Sequence, residues 1–203
     1  TDGSGAVTFA DAGGGGTALE LYVENPVSAT TPTATGNNAV ALGSNSDADG
    51  TNAFAAGFNG TASGQGSFSV SGLAQGQDSM ALMANSRAAG MWSVAIGANS
   101  DALSSGSVAI GRLAQAVSGS YAAAIARSYA SGGDSFAAAI SNTTSSYGAT
   151  GANSIAIGQL SKATAANSVA IGDGAISTTA NLIALGGTTD TVQISGTYTL
   201  PAT

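Results

Sequence analysis

An all-β solenoid of about eleven 14-residue coils is predicted by three features of this 203-residue chain. These are a short phrase that recurs, a modal spacing of 14 between its copies, and alternation of side-chain type within each copy. The phrase reads NAVALG at 38, WSVAIG at 92, GSVAIG at 106, NSIAIG at 153 and NSVAIG at 167. So short a segment cannot fold alone, and its recurrence marks a unit that gains a core only by stacking.

The first large apolar residues of the successive phrases are Val40, Phe54, Phe68, Met80, Val94, Val108, Tyr121, Phe136, Ile155, Val169 and Ile183, at steps of 14, 14, 12, 14, 14, 13, 15, 19, 14 and 14. That period is too short for helical-hairpin repeats or propeller blades and fits one turn of a narrow two-strand coil. Val94 and Ile96 fall on one face of the strand, with Ser93 and Ala95 on the other, and Gly97 follows where the chain must turn. β-branched residues and a glycine in most coils argue against helix.

The chain divides into three segments. Residues 1–37 read as a lead-in strand, LELYV, between glycine-rich and Thr/Pro-rich linkers. Residues 38–186 are the repeat array, and residues 187–203, with the alternating stretches VQIS and TYTL, read as a terminal strand or hairpin connector. The longest interval holds SNTTSSYGATGA, an insert in one coil of the kind that can carry binding. The first residue is threonine, which is expected of an excised or processed piece.

In this reading the two apolar residues of each phrase fill the roll. They face a small residue eight positions on: Ala48, Ala62, Ala88, Ala102, Ala116, Ala163 or Ser177. So thin a core leaves a lone chain marginal. The residue between the two apolar positions then faces out. It is Ala41, Ala55, Ser69, Ala81, Ala95, Ala109, Ala122, Ala137, Ala156, Ala170 or Ala184. An exposed strand face favours larger or charged residues, so this column reads as a subunit interface, the alternative being a solvent face kept small.

Composition narrows the function. Charged residues are 7% of the chain against about 25% in ordinary domains. With no cysteine or histidine, a net charge of -7, and no GxSxG, HExxH or Walker pattern, the chain offers little to catalysis and is read as non-enzymatic, without cofactor. The acidic balance disfavours nucleic acid, and no apolar run is long enough to insert in a membrane. Asn45, Asp47 and Asp49 could suggest calcium, but later coils do not repeat the acids. A solvated outer strand is the preferred reading, with no metal site. Threonines do not form a column in the coils, against an ice-binding face.

The phrase and its period resemble the head repeats of trimeric autotransporter adhesins over about residues 38–186, although SFSVSG, SMALMA, SYAAAI and SFAAAI depart from the pattern. The resemblance implies a left-handed parallel β-roll packed side by side as a homotrimer, in an extracellular setting, adhering to a host or prey surface protein or glycan. The ends, TDGSGAVTF and YTLPAT, are similar to connectors of phage tail fibres and mosaic trimeric fibres, which implies a bacterial cell-surface fibre or a virion tail fibre. Candidate receptor contacts are Phe58, Met91 and Trp92, large apolar groups outside the core columns, and Asn142 and Tyr147 in the insert. A purely structural spacer is the alternative role.

Overall fold

The computed structural model describes residues 19–21, 30–141 and 146–193. Asn142, part of the insert, and most of both terminal segments lie outside the described residues.

The coil is built as its alternation requires. Each turn of the chain supplies a three-residue strand such as Val94–Ile96 and a two-residue strand such as Asp101–Ala102. The long strands form one parallel sheet of twelve and the short strands a second of eleven, every strand but those at the ends pairing with its counterparts in the coils before and after. The result is a parallel β-solenoid of about eleven coils, with no helix among the described residues. Strand pairing reaches back before residue 38. Leu19–Leu21 pairs with Val40–Leu42, and Thr33–Ala34 with Asp47–Ala48.

Two four-residue turns join the sheets at opposite edges. In the turn Gly97–Ser100, the Ser100 amide donates to the Gly97 carbonyl at 3.1 Å and the Ser100 hydroxyl donates to the same oxygen at 2.7 Å. Ser93 does the same to Gly90 in the other turn, at 3.2 and 2.6 Å. The third residue of each turn has positive φ, 57° at Asn99 and 58° at Trp92, as a type II turn requires. Asparagine tolerates that region, and side-chain ladders such as Asn153 to Asn167 to Asn181 run along the turn edge. Gly90 is needed for another reason: a Cβ there would lie 2.0 Å from the Ser104 carbonyl oxygen of the next coil.

The interior differs from the sequence reading. The column read as outward-facing lies inside the roll. Ala41, Ala55, Ala81, Ala95, Ala109, Ala137, Ala156 and Ala170 are all 0% exposed within a single chain. Opposite them, Ala48, Ala62, Ala88, Ala102, Ala116 and Ala163 are equally buried, as read. Ala184, in the last coil, is half-buried. The physical reason is width: along the strand columns two sheets joined by such tight turns lie close together, so alanine and the turn serines fill the space, and the largest buried side chain among the described residues, Ile140, lies in the coil that carries the insert. Val94 and Ile96, Val169 and Ile171 therefore point away from the roll they were expected to fill.

A second correction concerns register. Val108 pairs with Ala123 and Ala109 with Ala124, so Ala124 is the inner residue of that coil. Ala122 is buried one alternation earlier, at the position Ser107 holds. Tyr121, taken as the first apolar strand residue, is a turn residue with φ of 57°.

Candidate functional site

The two outward faces of the solenoid differ in chemistry. On the long-strand sheet both outward columns are apolar from end to end. One runs Val40, Phe54, Phe68, Met80, Val94, Val108, and the other Leu42, Ala56, Val70, Leu82, Ile96, Ile110, and each continues without a charge to Ile183 and Leu185. Phe54 and Phe68 stack with centroids 4.9 Å apart. Several of these side chains stand well exposed in the single chain, Ile110, Ile171 and Ile183 among them. An uninterrupted apolar stripe of this length is far beyond what isolated soluble domains leave open to water.

The outward column of the short-strand sheet is mostly polar. Thr33 donates from Oγ1 to Asp47 at 2.7 Å, and Arg87 pairs with Asp101 through Nε at 3.0 Å. Asp47 thus sits in a hydrogen-bonded rung, and among the described residues no three acidic side chains cluster as metal ligands would.

The candidate receptor contacts do not form one site. Phe58 is 67% exposed on the turn that follows a long strand. Met91 and Trp92 are exposed on the turn that follows a short strand, at the opposite edge of the roll. Tyr147 is partly buried and packs against the alanine core, the cluster that also holds the wholly buried Ile140. The contrast between the two outward columns was present in the sequence: one never carries a charge, while the other carries Asp47, Arg87, Asp101 and Lys162. It was missed because the apolar columns had been assigned to the interior.

A small-residue interior, paired parallel sheets and one apolar outer face define a stacking β-solenoid module. Residues 34–59, 74–100, 88–114 and 149–175 match the YadA head domain repeat (2 copies). Over those segments the chain is similar to the YadA head domain repeat, in agreement with the resemblance to trimeric autotransporter adhesin heads read from NSVAIG and its period. No curated protein matches the chain. The YadA head family is an adhesin family, and its heads sit on the bacterial cell surface.

Proposed function

We propose that this chain is a trimeric adhesive module of an extracellular fibre, attaching its bearer to a receptor on a host or prey surface. The observation that carries the proposal is the long-strand face, two apolar columns along about eleven coils with no charged residue in either. Three such faces turned toward a common axis bury one another, leaving the polar short-strand faces outward. YadA-type heads form trimers, which supports the same arrangement. The interface proposed from the alanine column is thereby moved to the residues flanking it, because a side chain already enclosed by its own chain has nothing to offer a partner. A left-handed roll and a place in a bacterial surface fibre or a virion tail fibre belong to the same proposal.

Light scattering at micromolar concentration tests the assembly, and retention of cells by the immobilised module tests adhesion. A trimer that retains cells is expected. A monodisperse monomer overturns the assembly, and a trimer that retains no cell of a broad panel leaves a spacer in place of an adhesin.

A further inference from the structure

The coil that begins at Phe68 is two residues shorter than the coils around it, and the missing residues come from a turn. Neighbouring coils join their strands with Gly57–Gly60 and Met83–Ser86, whereas here Ser71 and Gly72 alone connect Phe68–Val70 to Leu73–Ala74. The ridge of turns along that edge is therefore notched. The notch is a groove of about 530 Å³ that opens on the short-strand side. Phe58 and Asn59 form one lip, Asn85 the other, and Thr61, Arg87 and Asp101 the polar wall.

The chain carries specific repairs for this shortening. Gly72 is required, because a Cβ there would lie 2.4 Å from the Ser86 hydroxyl and 2.9 Å from the Ala81 carbonyl oxygen. The serine that normally closes the turn is absent, and Ser69 replaces it from the inner column. Its hydroxyl, buried where the other coils place alanine, donates to the Gly72 carbonyl at 2.7 Å. The alanine core is correspondingly split into two clusters, ending at Ala62 and resuming at Ala74. A notch stabilised by compensating residues is a built feature.

We infer that this notch binds a neutral saccharide, an inference that rests on the adhesive reading and gives it a site. The volume lies within the range of small-ligand pockets. The lips stand two coils apart, about 9.6 Å along the axis, which admits a sugar ring but not an α-helix of about 10–12 Å diameter. Phe58 offers an exposed ring to the apolar face of a pyranose. Arg87 and Asp101 neutralise each other through Nε and Oδ1, so the wall carries no net charge and a charged ligand gains no counter-ion. The remaining guanidinium N–H groups and Oδ2, with the Asn59 and Asn85 amides, supply the adjacent donors and acceptors that sugar hydroxyls need. The groove opens on the face that trimer assembly leaves to solvent.

The test uses the whole chain with lactose, maltose and chitobiose as neutral probes and 3′-sialyllactose as the anionic one, with binding read by saturation-transfer NMR and titration. Saturable binding of a neutral probe is expected, weakened at least tenfold by Phe58→Ala and retained by Phe58→Tyr. Replacing Ser71–Gly72 with Gly-Ala-Asn-Ser, the turn of Gly97–Ser100, fills the notch and is expected to abolish binding while the circular dichroism spectrum is preserved. Absence of neutral-probe binding, a preference for the sialylated probe, or unchanged binding in either Phe58→Ala or the filled variant overturns the site. If the filled variant does not fold, Phe58→Ala and Phe58→Tyr, at an exposed position, decide the matter. Cell retention is measured in parallel. Retention without saccharide binding removes this site and leaves the adhesive reading, and notch-dependent saccharide binding without retention does the reverse.

Discussion

Ala109 and Ile110 are neighbours in one strand with opposite fates, the first enclosed by its own coil and the second pointing away from it. A charge at Ala109 would be placed where no water or partner can reach it. Ala109→Glu is expected to cost at least about 3 kcal/mol and to unfold the chain, read as loss of the β-sheet circular dichroism signal. Ala95→Leu, an apolar change in the same column, overpacks the roll and is expected to lower stability by about 1–3 kcal/mol in chemical denaturation. The turn serines divide into two kinds. Ser100→Ala removes a buried bond to the Gly97 carbonyl and is expected to cost about 1 kcal/mol. Ser154→Ala removes a buried hydroxyl that has no hydrogen-bond partner and is expected to be neutral or stabilising in the same measurement.

At the scale of the strand and turn, the period, the alternation and the turn glycines were legible because backbone geometry imposes them directly. Which face of the strand is interior was not legible from alternation alone, since period two is the same for either choice. Treating valine and isoleucine as the core followed the usual association of apolar residues with burial, but the narrow coil reverses it in the inner strand columns, which hold alanine or serine, while the larger Ile140 is buried only beside the insert. Tyr121 was misplaced for a related reason: a large residue in a turn imitates the first position of a strand when one residue is added before it. The departing phrase SFSVSG is now explained, since its serine at 69 and glycine at 72 close the short coil. Trp92 and Tyr121 are aromatic residues at positive-φ positions otherwise held mainly by asparagine, aspartate and glycine. The Tyr121 ring lies over Gly106 of the preceding coil, where a Cβ would stand 2.5 Å from its Cδ1, and nothing in the structure explains Trp92.

Across the whole molecule, the chain is a stack of nearly identical coils whose strength lies in the backbone ladder and whose remaining apolar surface is gathered on one sheet. About eleven coils at about 4.8 Å each give a rod of roughly 50 Å, a length that small-angle scattering can check against a collapsed particle. The interior alone is shallow, so in the proposed trimer stability is coupled to the assembly that covers the long-strand face. Dilution is expected to lower the thermal midpoint of that trimer, as mass action requires of any assembly that stabilises its folded chains.

The central claim is that alanine fills each roll while the flanking valine and isoleucine columns join the chains. Sedimentation equilibrium of the wild-type chain and of Ile110→Glu, with circular dichroism on the same samples, tests it most directly. The account predicts a wild-type trimer and an Ile110→Glu chain that dissociates while keeping its β-sheet signal. A wild-type monomer at micromolar concentration, or a trimer that tolerates Ile110→Glu unchanged, would contradict it.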